Sequence, residues 1–543
     1  MVFARRSTTL LAAIIASCAM VLSLTACTSD NKTVVDGQTT VTSNSAGGVA
    51  VFTPSDCITL NQQTPLNKWA KLVPDLAKAL ADAGFKKGDI DHTTSDSLAK
   101  QSRAIQDFVV DHLSNNTTDD SGIAIAPDNM TLLVAPVVEA DASTRQYGDY
   151  VSQNLSTNDA TDGEATSDGE SSEDDSSKDD SSNTESDSTA SDEQAQAVDR
   201  LVSSLKLAKE SGMHVVLLGN SIEGYKPDAF VKFSDAQTIG KLQAEKMVSK
   251  LKLDKASKDN PKYIEVLLPY TAVDEKGNAN DSTFAQEAFR GIWQVLGSYY
   301  QKGVVESPSG TLDGKSTEND WQAVAYDAAK EGSTAKVLDK RLAKTDGQST
   351  LTRIDGIITM NDYIASEVVK ELDDLGYTGS AADINPQITI SGIVGNITGK
   401  KDLSRDAVPD PIKSPENDNA NDSSSSDDDA DKDTSASDKD RDSQWPLVTG
   451  YGAYVSNIPS IVNGKQWMTG MEDRQTIATD IAQACAKLNK DEALNSMPSI
   501  RNSEVGGVKK IPTISEPLLA VSASNLKSAL IDPGYISLAD AGL

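Results

Sequence analysis

Histidine and cysteine are both scarce in this chain, with three histidines and four cysteines in 543 residues. There is no CxxC pair, and His92, His112 and His214 stand in no ligand spacing, so the residues offer no zinc site and call for no metal. Basic residues are also in deficit: 50 Lys and Arg against 81 Asp and Glu give a formal net charge of −31. Such a balance argues against a surface that neutralises the phosphates of a nucleic acid, although most of the charge sits in two low-complexity runs and says little about a folded partner surface. Catalytic signatures are missing too. No HExxH, GxSxG, GxxxxGK[ST] or GxGxxG is present, and no carboxylate pair stands out as acid and base. The loop Asp274 to Asn278 has acidic residues but not calcium-loop spacing. The chain therefore reads as a binding protein rather than an enzyme, with no cofactor.

The one markedly apolar run is at the start. Arg5-Arg6 precedes Leu10 to Leu24, which is too short to span a bilayer and reads as an export signal over residues 1–26. Its end, Leu24-Thr25-Ala26-Cys27, resembles a bacterial lipobox. That resemblance implies that Cys27 is lipidated and becomes the first mature residue, anchoring the protein at the extracytoplasmic face of the cell membrane. Residues 27–48 are rich in Ser, Thr, Asn and Gly and read as a flexible tether. Cys18 lies within the signal, leaving Cys57 and Cys485. An even pair in an exported protein suggests one disulfide across a long loop; two buried free thiols are the alternative.

From residue 49 the pattern is globular. The stretch Ile354 to Tyr377 shows its unit: a β-branched run (Ile354, Ile357, Ile358), a polar turn at Asn361-Asp362, and a helix with Ile364, Val368 and Leu372 on one face, ending at Gly376. Ligands bind at that edge of a parallel sheet. Further strands are expected at Val51-Phe52, Met130 to Val138, His214 to Leu218, Phe230 to Phe233, Tyr263 to Leu268, Val304-Val305, Ile388 to Ile393, Trp467-Met468 and Ile511 to Ile514. Helices are expected over Leu66 to Leu80 (kinked or delayed by Pro74), Ser97 to Leu113, Ala195 to Ser211, Asp235 to Leu251, Ser282 to Tyr300, Trp321 to Glu331 and Arg474 to Leu488. Two acidic runs, 156–193 and 414–442, carry almost no apolar residue and read as disordered inserts. Alternating strands and helices in this number predict an α/β fold of two similar lobes with parallel sheets.

The succession HVVLLGNSIEGY, AFVKFSDAQTIGKLQAEKMV, YIEVLLPY, IDGIITMNDYIASEVVKELDDLGY and PQITISGI resembles the sugar-binding lipoproteins of bacterial ABC importers. The nearest type is the xylose-like branch of the ribose/galactose periplasmic-binding family, which has the type I periplasmic-binding fold. The resemblance covers about Val51 to Leu488. It implies two Rossmann-like lobes joined by a three-segment hinge, with crossings near Gly219, near Gly392-Ile393 and near Trp467 to Glu472. Residues 49–218 and 472–515 would form the N-terminal lobe, 219–471 the C-terminal lobe and 516–543 a tail. Cys57 and Cys485 would then share one lobe. A monomer is implied that closes over a monosaccharide or related small carbohydrate and delivers it to an ABC permease.

By that resemblance the ligand residues would be Asn361 and Asp362, Asn220, Asn280 and Asp281, and Trp69. Amides and carboxylates would pair with hydroxyls, and an aromatic face would stack on the sugar. Each has a plainer reading: helix caps for Asn361-Asp362 and Asn280-Asp281, core packing for Trp69. Asp235 reads as a helix start. The chain departs from the family at Asn220-Ser221 (an Asp-Arg pair there), at Ile393 to Asn396 (an Asp) and at Met471-Glu472-Asp473 (a lysine crossing). A second reading follows from these departures: a degenerate two-lobe lipoprotein used for sensing or scaffolding.

Overall fold

The computed structural model describes residues 46–55, 65–115, 126–138, 146–150, 153–156, 185–273, 280–328, 330–343, 351–381 and 445–542. The expected export signal, Cys27, Cys57, the strand expected at Ile388 to Ile393 with its crossing, and the acidic run 414–442 lie outside them.

The chain begins with β1 (Gly48–Pro54), α1 (Trp69–Asp82), β2 (Ile90–Ser95), α2 (Leu98–Asn115), β3 (Met130–Val134), α3 (Glu185–Glu210), β4 (His214–Leu218) and β5 (Ala229–Lys232). It continues through α4 (Ala236–Leu251), β6 (Lys262–Val266), α5 (Thr283–Gln301), β7 (Val305–Glu306), α6 (Ser333–Arg341), β8 (Gly356–Ile358), α7 (Asp362–Asp374) and β9 (Leu447–Val448). It ends with β10 (Met468–Met471), α8 (Arg474–Leu488), β11 (Ile500–Val505), β12 (Val508–Ser515) and β13 (Leu519–Ser522).

Two sheets organise these elements. The larger has seven strands in the order β11-β12-β5-β4-β3-β1-β2, and the smaller runs β7-β6-β8-β9. In both, the first strand lies between the second and the third, so each is a doubly wound unit with a switch point beside its first strand. The pairing is parallel except where β11 turns back on β12. This is the expected class: two α/β lobes with parallel sheets.

The apolar strand runs are explained by burial on both faces, since side chains alternate along a strand. Val49 and Val51 of β1 join Leu133, Val216 and Leu218 in packing on Trp69, Leu72, Leu76, Ile477 and Ile481 of α1 and α8. The alternate set, Ala50, Phe52, Leu132, Val215 and Leu217, packs on Ile105, Val109, Leu201 and Leu205 of α2 and α3. In the second lobe Ile264, Val266, Ile357 and Ile358 are buried with Met247, Phe289, Ile292, Ile364 and Val368. Among the described residues no helix is long and apolar enough to cross a membrane.

Helices α4 and α5 meet through glycine. A Cβ on Gly240 would collide with the Ala288 carbonyl, and one on Gly291 with the Gln237 carbonyl. Gly291→Val should therefore destabilise the chain by about 1–3 kcal/mol through overpacking, read as a lower urea midpoint. A midpoint equal to wild type would refute this contact.

Several expectations need correction. The first crossing lies at Phe233 to Ala236 and not near Gly219, because β5 is hydrogen-bonded between β4 and β12 in the seven-stranded sheet. Residues 219–233 thus belong to the N-terminal lobe. The second crossing runs from Met471 to Arg474, between β10 and α8. The third runs from Ser515 to Leu519, between β12 and β13. Residues 516–543 are no loose tail: β13 pairs antiparallel with β10, and Leu526, Leu530, Tyr535 and Ile536 share a small core with Leu66, Ile458, Ile461 and Met471.

Helix α3 starts at Glu185, inside the acidic run 156–193. Acidic residues are favourable at a helix N-terminus, so composition alone understates helix there. The helix expected over Trp321 to Glu331 is only Trp321–Val324; Ala325–Tyr326 then pairs with Leu268–Pro269, and Gly332 at φ 70° precedes α6. Strand β2 carries little apolar signal, since it is an edge strand with mostly exposed side chains. Pro74 sits inside α1 without ending it. Cys485 is fully buried with no disulfide among the described residues, burial pushes its pKa up, and its expected partner Cys57 lies outside those residues.

Candidate functional site

The three crossings bring the carboxyl edges of the two sheets together, and the side chains of that region come from both lobes. At the first crossing, the Ser234 amide donates to Glu472 Oε1 of the second crossing at 2.6 Å. The Ser234 hydroxyl is hydrogen-bonded to the Tyr451 hydroxyl, which also donates to Glu472 Oε1 at 3.4 Å. The Glu472 amide donates to Asn67 Oδ1 at 3.4 Å. Burial pushes the Glu472 carboxyl up to about 7, with Asp235 adding to the effect and the Ser234 and Tyr451 donors offsetting part of it. Glu472 therefore ties two of the three hinge segments. Asp235, as expected, caps α4, accepting from the Thr238 amide at 2.7 Å.

The N-terminal lobe presents an aromatic cluster. Trp69 meets Tyr150 and Phe233 edge-on, with centroids 5.1 and 5.7 Å away, and Tyr150 stacks on Phe233 at 4.8 Å. Gly219, at φ 71°, turns the chain after β4 against the rings of Trp69 and Phe233. Trp69 is buried at the rim of the N-terminal core, its plainer reading. Asn220 is buried, and both ends of its amide are engaged: Oδ1 accepts from the Gln153 amide at 3.0 Å and Nδ2 donates to the Pro136 carbonyl at 2.9 Å.

On the C-terminal lobe, Asn361 and Asp362 divide the work expected of them jointly. Asn361 Oδ1 accepts from the Ile364 amide at 2.9 Å, capping α7, while Nδ2 donates across the interface to Gln146 Oε1 at 3.1 Å. Asp362 points the other way, into the lobe. Its carboxylate accepts from Gln466 Nε2 at 2.7 Å, Thr469 Oγ1 at 2.8 Å and the Tyr454 amide at 2.9 Å. Its own carbonyl accepts from Asn457 Nδ2 at 2.7 Å. Burial raises its pKa to about 6 despite these donors. Asp362 is thus a structural hub and not a ligand arm. Asn280 is engaged with its own loop, donating to the Thr271 carbonyl at 2.9 Å. Asp281 caps the start of α5 through the Thr283 amide at 2.9 Å and does not reach the other groups.

Residues 146–150, between β3 and α3, cross between the lobes. Tyr147 is 1% exposed, with its ring 4.8 Å from Phe284 and 6.3 Å from Tyr451. The Tyr454 hydroxyl donates to the Gln146 carbonyl at 2.6 Å. Two aromatic groups thus stand at the facing edges of the lobes, Trp69-Tyr150-Phe233 and Phe284-Tyr147-Tyr451, and Gln146 is bonded to Asn361 and Tyr454 beside the second. A cavity of about 450 Å³ lies elsewhere, lined by His214, Asp228, Asp491, Glu492 and Pro512. Among the described residues no cluster of three or more His, Cys, Asp or Glu could hold a metal ion.

Sequence reasoning missed Gln146, Tyr147, Tyr150, Tyr451 and Ser234. The only available signal was a pair of tyrosines, Tyr147 and Tyr150, in an otherwise polar stretch.

No family model matches the chain, and no curated protein does. Among solved structures it is similar to an ABC transporter solute binding protein from Clostridium phytofermentans with bound beta-D-glucose, at 17% identity, covering 91% of this chain and 99% of that one, with a TM-score of 0.44. It is similar to a carbohydrate transporter solute binding protein from Chloroflexus aurantiacus in complex with D-glucose, at 18% identity, covering 92% and 98%, with a TM-score of 0.42. A periplasmic ribose ABC transporter from Conexibacter woesei is similar at 13% identity, covering 90% and 96%, with a TM-score of 0.42.

Proposed function

We propose that the chain is an extracytoplasmic solute-binding lipoprotein, anchored through Cys27, that takes a monosaccharide or related small carbohydrate between its lobes and passes it to an ABC permease. The observation that carries this reading is the composition of the facing edges. Aromatic rings stand at the carboxyl edges of both doubly wound sheets, and the Asn361 amide reaches from one lobe to Gln146 beside Tyr147. Aromatic rings suit the C–H faces of a sugar, and neutral amides and hydroxyls suit its hydroxyl groups. With three crossings, the lobes can part and close as a hinge.

One observation favours the second reading, a two-lobe lipoprotein that senses or scaffolds without transport. Asn220 and Asp362 have their polar atoms committed within the chain, the Asn280 amide donates within its own loop, and Tyr147 is buried against Phe284 and Tyr451.

A thermal-shift screen of the mature chain against pentoses, hexoses and small oligosaccharides separates the two. A ligand at a hundred times its dissociation constant adds about 2.7 kcal/mol and should raise Tm by about 2–4 °C. A shift with one sugar class supports the receptor. Melting temperatures unchanged across the whole panel, for the mature chain and for its Gln146→Ala/Tyr147→Ala variant, would overturn it in favour of the second reading.

A further inference from the structure

The five residues Gln146 to Tyr150 belong to both lobes at once. Their root is fixed to the N-terminal lobe. The Asp149 carboxylate pairs with Lys68 at 3.3 Å and accepts from the Trp69 amide at 3.1 Å, and the Asp149 amide donates to the Asn67 carbonyl at 2.8 Å. Tyr150 donates to the Lys68 carbonyl and stacks on Phe233. Gly148, at φ 96°, lets the segment lie flat, since a Cβ there would come within 2.6 Å of the Asn67 carbonyl oxygen. The tip is fixed to the other lobe through Asn361, Tyr454, Phe284 and Tyr451.

The chemistry of the tip matters as much as its position. Asn361 Nδ2 and the Tyr454 hydroxyl are donors on the cleft wall, and each is met by a neutral amide oxygen of Gln146. The apolar faces of Phe284 and Tyr451 are met by the ring of Tyr147. A neutral ring-sized molecule bearing hydroxyl oxygens would satisfy the same donors and the same faces. Ligand and tip therefore compete for one place.

We propose that Gln146–Tyr150 is an autoinhibitory strap: its tip occupies the ligand's place against the C-terminal lobe, and a neutral polyol enters only when the tip withdraws. The ligand class rests on the carbohydrate reading above; the strap itself does not. Because only the fraction of molecules with the tip withdrawn can bind, the apparent affinity is lowered by that fraction.

The test compares the mature chain with two variants, Gln146→Ala/Tyr147→Ala at the tip and Gly148→Val at the root. Hydrogen exchange of peptides covering residues 359–365 and 449–455 reads the strap without any ligand. At least tenfold faster exchange of these peptides is expected in both variants, while peptides of the N-terminal sheet, residues 48–54 and 214–218, exchange as in wild type. Titration with the pentose and hexose panel reads the competition, and at least tenfold tighter binding by the variants is expected. Faster exchange without sugar binding by any form supports the strap as the element that keeps the cleft shut and removes only the carbohydrate reading. Wild-type exchange rates, or sugar binding weakened by the tip variant, would overturn the strap; the latter would make Gln146 and Tyr147 ligand contacts.

Discussion

Asp362→Ala should cost about 3–5 kcal/mol. The carboxylate is buried and serves three donors from three places in the chain: Tyr454, Gln466 and Thr469. Alanine leaves those donors in a space too apolar to solvate them. The Tyr454 amide would lose the acceptor that holds the turn after β9. Gly450 packs directly on the carboxylate, and a side chain there would collide with Asp362 Oδ1. Asp362→Asn keeps the shape but turns one acceptor into a donor facing donors, and should cost about 1–3 kcal/mol. Urea denaturation at pH 7 measures both. A loss under about 0.5 kcal/mol for the alanine variant would sink the hub assignment, since surface-like sites behave that way.

The same residue shows how far a sequence can be read. Asn361-Asp362 was legible as a strand-end turn because β8, the polar pair and the period of α7 lie within one short stretch. The direction of each side chain was not legible. Asn361 faces the cleft while Asp362 faces inward, a difference set by the backbone: Met360 sits at φ 67° and Asn361 is extended at φ −143°, ψ 166°. Lobe architecture was readable because strands buried on both faces leave continuous apolar runs at regular spacing. The edge strand β2 left no such run. The hinge was misplaced at Gly219 because the run Phe230 to Phe233 gives no sign of which sheet it joins; that is settled by its pairing with β12, nearly three hundred residues later. Tyr147 was invisible for a related reason. Its partners Phe284 and Tyr451 are far away in sequence, and no local periodicity points to them.

Two fully buried carboxyls have raised pKa values, Glu472 at the hinge and Asp362 within the C-terminal lobe, and both make stability depend on pH in the same sense. Glu472 titrates at about 7 in the folded chain against an ordinary value of 4.5, and Asp362 at about 6 against 3.8. A raised carboxyl binds more protons in the native state than in the unfolded one, so stability falls as pH rises between the two values. The contribution of Glu472 is therefore fully present below about pH 4.5 and lost as pH rises through 7, on the order of 3 kcal/mol at 1.36 kcal/mol per unit. His112 works in the opposite sense. It is buried, neither ring nitrogen has a partner, and burial lowers its pKa, so its contribution is lost as pH falls below the unfolded value. The two effects overlap, and a wild-type curve alone does not separate them. Glu472→Gln does. Its amide oxygen can still accept from the Ser234 amide, and it carries no charge to desolvate. Relative to wild type it should be near neutral at pH 4.5 and more stable by about 2–3 kcal/mol at pH 8.5, with the difference growing between those values. Urea midpoints at half-unit steps trace this difference curve. A flat difference, or one that grows toward acid pH, would show that the carboxyl is ionised in the folded hinge and that the latch between the first two crossings is a charged one.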